Sequence, residues 1–335
     1  MDGLLNHENN KMNVLVVGYG SIGKRHVDNL LKLRQINKII VCSNHLDSFQ
    51  NHPEKEKLKL IRSLEELSPM MNNGRQFSFA IVANETYKHI ETANVLANSG
   101  VHLFIEKPLS PSLKDAISLQ KIVSSKDIKI FIAYNLRFLG ALQYIKHQLN
   151  TGIIGKLYFT EIEVGQYLPA WRPLSDYRES YSARKDKGGG VALDLSHEID
   201  YMRYLFGDPV SWKTMKSKVS DLDINSEDIF KGIYRFSSGF LCSVHMDYIR
   251  HNKKRKINII GIEGSLECDF IEKHIKMQKN SSEISLIENE HLFDVDESYK
   301  SELNHFIECI EKDKTPQITL DDGIEVLKLI EGDHV

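Results

Sequence analysis

Val14-Leu15-Val16-Val17-Gly18-Tyr19-Gly20-Ser21-Ile22-Gly23 joins a short apolar run to three glycines at G-x-G-x-x-G spacing, and a helical pattern over residues 21–34 follows at once. Strand, glycine turn and helix in that order make a place for a dinucleotide's pyrophosphate. The glycines permit close backbone approach, and the helix presents unbonded amides and the positive end of its dipole. Alone the motif is weak, because glycine turns are common; the strand before it and the helix after it set it apart. Gly18, Gly20, Ser21, Ile22 and Gly23 are the first candidate cofactor contacts.

Outward from this turn, apolar runs at residues 38–42, 77–83, 101–105 and 128–133 join 13–17 as candidate strands. Amphipathic stretches at 21–34, 63–71, 86–98 and 112–125 alternate with them, the pattern of strand-helix units in a parallel sheet. Ser63-Leu64-Glu65-Glu66 reads as a capping box and Gly100 as a left-handed helix terminator. An acidic residue at the end of the second strand would bind the ribose 2′-hydroxyl of NAD and repel the 2′-phosphate of NADP. Ser43 and Asn44 stand there instead, with Lys24 or Arg25 as phosphate partner, so NADP is expected ahead of NAD; Asp47 swinging in is the alternative.

Past Tyr134 the pattern changes. A helix is expected over 139–150, a strand over 157–164, then a polar stretch up to Gly188 and an apolar helix over 191–206. Strand-like runs follow at 210–219, 229–236, 240–246, 256–262 and 265–270, and helices close the chain at 297–311 and 320–331. Strands in succession without intervening helices imply a mainly antiparallel sheet. The expected fold class is α/β: a leader at 1–11, a Rossmann domain at 12–133, and an α/β domain with an open, mainly antiparallel sheet at 134–335.

The 335 residues are 41% hydrophobic, enough for a core in each of two domains, and the formal net charge of -3 gives no reason to expect nucleic acid or an anionic membrane as partner. Cys42, Cys242, Cys268 and Cys309 are far apart, with no C-x-x-C pair and no histidine at metal-ligand spacing, so no metal site is expected. No apolar run approaches the roughly 20 residues of a membrane span, and the expected location is the cytoplasm.

Two further stretches carry chemistry. Glu106-Lys107-Pro108 follows a strand at the carboxyl edge of the expected parallel sheet, where such folds bind ligands. Gly188-Gly189-Gly190-Val191-Ala192-Leu193-Asp194-Leu195-Ser196-His197-Glu198-Ile199-Asp200 supplies a histidine, the side chain best placed to take a hydroxyl proton near neutral pH. An ammonium beside it would hydrogen-bond the developing alkoxide. Asp194, three residues before His197, would share its helical face and orient the imidazole. Asp200 and Arg203 read as structural contacts.

With the glycine turn, these stretches resemble the Gfo/Idh/MocA family of sugar oxidoreductases over nearly the whole chain, residues 12–331, including Asp322-Gly323 near its end. The resemblance implies that Lys107 lies between nicotinamide and substrate hydroxyl, that His197 is the general acid/base, and that the outer face of the second sheet makes a homodimer or homotetramer contact. It also implies cofactor contacts from Ala83, Asn84, His89, Glu106, Lys107 and Asn135, and places Arg137 near the substrate. The aspartate-to-histidine spacing is three here against four in the family, which bears on Asp194.

Residues 167–187 interleave five basic and three acidic residues with four aromatics. Trp171, Arg172, Arg178 and Tyr181 are candidate contacts for an anionic, ring-containing ligand such as a nucleotide sugar or sugar acid; charges paired within the loop, or a subunit-contact arm, are the alternative. W-R-P and D-Y-R-E-S-Y-S-A-R resemble a bacterial subgroup of surface-sugar biosynthesis. The basic run 250–256 reads as a solvated hairpin. The expected function is NAD(P)-dependent hydride transfer at a secondary hydroxyl or ketone of a sugar, foremost a nucleotide sugar or sugar acid, against a free-polyol dehydrogenase or a silent nucleotide-binding sensor.

Overall fold

The computed structural model describes residues 11–44, 54–67, 76–171, 173–279 and 284–334. Residues 1–10 of the expected leader, Asp47 and Arg172 lie outside them. The chain divides into two compact units, one of residues 1–110, 114–133 and 305–320, the other of 111–113, 134–304 and 321–335.

In the first unit, β1 (Met12–Val17), β2 (Ile36–Cys42), β3 (Leu58–Ile61), β4 (Phe79–Val82), β5 (His102–Glu106) and β6 (Ile130–Ala133) form one sheet in the order β3-β2-β1-β4-β5-β6. Every pairing is parallel. All four residues of β4 and all five of β5 are buried, as expected of strands covered on both faces. Phe79, Phe104 and Phe131 meet Phe306 with ring centroids 5.5 to 5.8 Å apart, so the segment from His305 onward completes this core. β3 was not foreseen: Leu58-Lys59-Leu60-Ile61 is too short to show a period.

The helix expected over 63–71 is a single 3-10 turn, Leu64–Leu67, within the described residues. Only half of its capping box forms: the Ser63 amide donates to the Glu66 carboxylate at 3.2 Å, but the Ser63 hydroxyl donates to Glu65. The Arg62 amide also reaches Glu66, at 2.7 Å, so the box closes around the strand end rather than opening a helix. Gly100 is left-handed as expected, with φ 71°.

The second unit is built on an eight-stranded sheet, β14-β13-β12-β11-β7-β10-β9-β8. Its strands are β7 (Leu157–Gly165), β8 (Ser211–Ser217), β9 (Ile229–Arg235), β10 (Leu241–Asp247), β11 (Lys254–Gly261), β12 (Gly264–Asp269), β13 (His274–Lys279) and β14 (Ser285–Ile287). All neighbours are antiparallel except β7 and β10, which run parallel with Phe159 opposite Leu241. One face is apolar core, with Ile162, Val244, Ile257, Phe230 and Tyr234 buried; on the other, Phe159, Leu241, Ile233 and Met215 are exposed.

The helix expected over 191–206 is broken. Val191–Asp194 and His197–Phe206 are separate, because the Ser196 and Glu198 amides bond three residues back, to Leu193 and Leu195, and tighten the chain between them. The polar stretch before it winds through four single turns, Leu168–Ala170, Tyr177–Glu179, Tyr181–Ala183 and Lys185–Lys187. Its end packs tightly on glycine: a Cβ on Gly189 would lie 2.0 Å from the Tyr181 carbonyl oxygen. The basic run is no free hairpin, since Arg250 and Lys254 pair with Glu163, Lys256 with Asp269, and Arg255 with the fully buried Glu198.

Candidate active site

Three strand ends bring the cofactor candidates to the carboxyl edge of the first sheet. Gly18 follows β1, Ala83 and Asn84 follow β4, and Lys107 follows β5, with β4 between the other two. Gly18 has φ 98°, and a Cβ there would fall 2.4 Å from the Ala83 carbonyl oxygen and 2.5 Å from the Asn84 amide nitrogen. A Cβ on Gly23 would fall 2.2 Å from the Gly18 oxygen, whereas Gly20 faces open space. The backbone is thus pressed together on one side of the turn and clear on the other. Gly20 caps the helix α1 (Ser21–Leu31) without a side-chain bond, which leaves the first-turn amides to an anion.

Asn84 donates from Nδ2 to Thr92 Oγ1 at 2.8 Å, while its Oδ1 is buried with no partner among the described residues. A buried orphan acceptor is costly unless a ligand answers it. Together with the open face at Gly20, it fits a dinucleotide on this edge. The Ser43 amide donates to the Ile61 oxygen at 3.0 Å, so β3 brings Arg62 beside the place where the ribose would be read. Asn44 is exposed, and the Lys24 ammonium lies 5.4 Å from the Tyr19 ring centre.

His89 is fully buried. Its Nδ1 lies 3.0 Å from the Pro108 oxygen and its Nε2 3.1 Å from the Asn84 oxygen. Burial pushes its pKa below the usual imidazole range, and a neutral ring has one N–H, so it donates to one carbonyl at a time. Its ring therefore serves the backbone on either side of the edge. Glu106, a sequence candidate for the cofactor, is also buried: Oε1 lies 2.6 Å from His26 Nε2 and Oε2 accepts the Lys107 amide at 3.2 Å. His26 was not singled out from the sequence. The signal was present, as it falls on the buried stripe Gly23, His26, Val27, Leu30 of α1, where a polar residue calls for a partner.

The second unit assembles the other candidates. His197, 9% exposed, opens the helix His197–Phe206; Tyr134 packs edge-on against it with ring centres 5.6 Å apart and donates to Ser196 Oγ at 3.3 Å. Asp194 closes the preceding short helix, and its carboxylate accepts from Tyr248 Oη at 2.5 Å. Burial first, then Asp194, push the Tyr248 phenol well above its ordinary range, so it stays a donor. Trp171 packs at right angles to Tyr248, 5.3 Å away, and its indole donates to the Gln166 oxygen. Tyr248 was missed because only the fold brings β10's end to the residue 54 positions earlier.

Arg137 is 6% exposed, and its guanidinium donates to both Asp200 oxygens, at 2.7 to 3.1 Å, and to Asp322 at 3.2 Å. Burial works against its charge; Asp200 and Asp322 outweigh that and raise its pKa. Its Nε and Nη2 donors are thereby engaged by side chains, and Arg203 joins the same group through Asp208 and Asp322. Asn135 is buried and donates to Ser298 at 2.7 Å. In the loop, Arg178 is exposed and forms a two-pronged pair with Asp176, while Arg184 does the same with Asp186. Tyr181 is half-buried beside the glycine turn.

Residues 12–134 match the model of the Oxidoreductase family, NAD-binding Rossmann fold, and residues 146–332 that of its C-terminal alpha/beta domain. Myo-inositol 2-dehydrogenase of Thermotoga maritima is 25% identical over 332 residues, covering 95% of this chain and 94% of that protein. Among solved structures, the WlbA dehydrogenase from Bordetella pertussis in complex with NADH and UDP-GlcNAcA superposes with a TM-score of 0.81 at 18% identity, over 96% of this chain and 95% of that one. Levoglucosan dehydrogenase, in complex with NADH and levoglucosan, also gives 0.81 at 18% identity, over 94% of each chain. With both domain models matched in order across most of its length, the chain belongs to the Gfo/Idh/MocA oxidoreductase family.

Proposed function

We propose that this oxidoreductase moves a hydride between a nicotinamide cofactor and a secondary hydroxyl or ketone of a sugar or polyol, with Lys107 and His197 as its reacting side chains. The observation that carries this reading is the order of strand ends on the first sheet: glycine turn, Asn84, then Lys107, on adjacent strands at one edge. A nicotinamide held at this edge would supply the hydride acceptor for the carbinol carbon. His197 takes the hydroxyl proton, and the Lys107 ammonium donates to the oxygen as it gains negative charge. Tyr134 and Ser196 flank the ring and helix start of His197, and one Asp194 oxygen is held by Tyr248.

For the cofactor, Ser43 in place of a carboxylate, with Arg62 beside it, supports NADP over NAD, while both complexed neighbours above carry NADH. For the substrate, the self-paired Arg178 and Arg184 support a free sugar or polyol, the class named for the inositol and levoglucosan enzymes. A nucleotide sugar is the second reading, favoured by the likeness to WlbA. The exposed Phe159, Leu241, Ile233 and Met215 on the outer sheet face support a dimer or tetramer built through it. Among the described residues no helix is long and apolar enough to cross a membrane.

Absorbance at 340 nm tests the reading, with NAD(H) and NADP(H) against inositols, anhydrosugars, free sugars, sugar acids and UDP-sugars. Turnover on a polyol or free sugar is the expected result. Turnover confined to UDP-sugars would replace the first substrate reading by the second, and binding of NADH without turnover anywhere in the panel would favour a sensor.

A further inference from the structure

The E-K-P tripeptide is held from both sides by histidines that take no part in the chemistry proposed above. His26, 0% exposed, reaches from α1 to Glu106 Oε1 at 2.6 Å, and its ring packs edge-on against Phe104 of β5 at 5.1 Å. The other Glu106 oxygen accepts the Lys107 amide at 3.2 Å. His89, from the helix His89–Asn98, lies against the Pro108 oxygen at 3.0 Å. The backbone on each side of the Lys107 α-carbon is therefore tied: on one side through Glu106 to the helix that opens at the glycine turn, on the other through Pro108 to the helix that follows β4.

A lysine side chain is long and has many rotamers, so the place its ammonium reaches depends on how firmly its backbone is set. Displacement of a reacting group by about 1 Å can cost about a hundredfold in rate. A histidine in a core stripe costs desolvation and is retained only with a partner. Here the partner is the carboxylate that holds the Lys107 amide, so the pair links the phosphate-binding helix to the reacting residue.

We propose that His26 is a positioning residue for Lys107, acting through Glu106 and not on substrate. The inference rests on the reading of Lys107 as a reacting side chain. Its test compares His26→Leu, which removes the donor, with His26→Gln, whose amide nitrogen can take the place of Nε2. Hydrogen exchange at the Lys107 amide and steady-state turnover are measured on the full-length protein, with NAD+ or NADP+ as cofactor and myo-inositol or the best panel substrate as probe.

In His26→Leu the Lys107 amide is expected to exchange at least about tenfold faster and kcat to fall about tenfold or more, while KM for the cofactor moves less than about threefold. His26→Gln is expected to restore both within about threefold. Unchanged exchange in His26→Leu, or faster exchange with unchanged kcat, overturns the proposal. So does His26→Gln as impaired as His26→Leu while its melting temperature matches wild type, since a donor at this position would then not be what sets Lys107. Should the leucine variant fail to fold, the glutamine variant decides alone: near-wild-type kcat supports a donor role, and a folded but slow enzyme overturns it. A wild type silent across the panel would count against the proposed function, and the exchange arm would still test whether His26 holds the Lys107 backbone.

Discussion

The carboxyl edge of the parallel sheet and the loop over residues 167–187 both looked, as sequence, like places for an anionic ligand, and the fold treats them in opposite ways. At the edge, backbone makes the site: glycines 18 and 23 are pressed against neighbouring carbonyls, Gly20 faces open space, and the helix start has no side-chain cap. In the loop, side chains carry the charge, and two of the arginines spend it on near neighbours, Arg178 on Asp176 and Arg184 on Asp186. A site made by backbone is announced by glycine spacing. One made by side chains can be undone by the nearest residue of opposite sign.

The sharpest test of the edge is Lys107→Ala, expected to lower kcat about a thousandfold while NADH affinity, read by fluorescence titration, stays within about threefold. Retained turnover would strip the edge of its chemistry and leave it a binding surface. Next in size is Arg137→Ala: removing one partner of a buried pair strands Asp200, and unfolding by urea should show a loss of about 3 kcal/mol or more. A stable variant with raised substrate KM would mark Arg137 as a substrate contact.

Ser43→Asp should shift the NADPH to NADH preference about tenfold toward NADH, the worth of about 1.4 kcal/mol. An unchanged ratio would move cofactor selection elsewhere, with Arg62 the next position to vary. His89 gives a smaller effect with a definite sign. Its folded pKa lies below the 6.5 of the free side chain, so below about pH 6.5 the unfolded chain binds more protons. Its contribution to stability is full above that pH and is lost as pH falls toward the folded value, at up to about 1.4 kcal/mol per unit. Chemical denaturation between pH 7 and pH 5 should show this slope, and His89→Gln should flatten it. Smallest of all, Arg178→Ala should leave KM for both polyols and UDP-sugars within about twofold, as befits an exposed pair. A tenfold rise for UDP-sugars alone would restore the loop as a phosphate clamp.

Most of the fold could be read from the sequence, because parallel strands buried on both faces appear as plain apolar runs and the closing helix Leu320–Glu331 is strongly periodic. What escaped reading was short or set by distant partners. β3 and β14 have four and three residues, too few for a period, while β13, six residues long, passed unread although Ile275 and Met277 alternate with polar neighbours. Val191–Phe206 looked like one helix because its apolar residues keep a helical spacing across Leu195 and Ser196; only the backbone bonds show the break. Of the site, the residues announced by motifs, Gly18 to Gly23 and Lys107, lie at one sheet edge. His26 and Tyr248 depended on contacts 80 and 54 positions along the chain, which no local pattern encodes. Arg137, named by the family resemblance, and Arg178, named by the loop's charge, stood as equal substrate candidates, although one is 7% and the other 55% exposed at its side chain.

The parallel placement of β7 beside β10 sets an order in time. β7 is made first, yet both its neighbours come late: Phe159 must wait for Leu241 on one side and Ile260 on the other. On the ribosome, at about 5–20 residues per second, that is several seconds with two bare edges and with the core residues Ile162 and Val164 uncovered. The ladder that closes around β7 pairs residues remote in sequence, which is slow to nucleate. Synthesis of this protein thus has a vulnerable interval at its middle, and conditions that slow elongation there or crowd nascent chains together will lower the yield of folded enzyme before any active-site residue is involved.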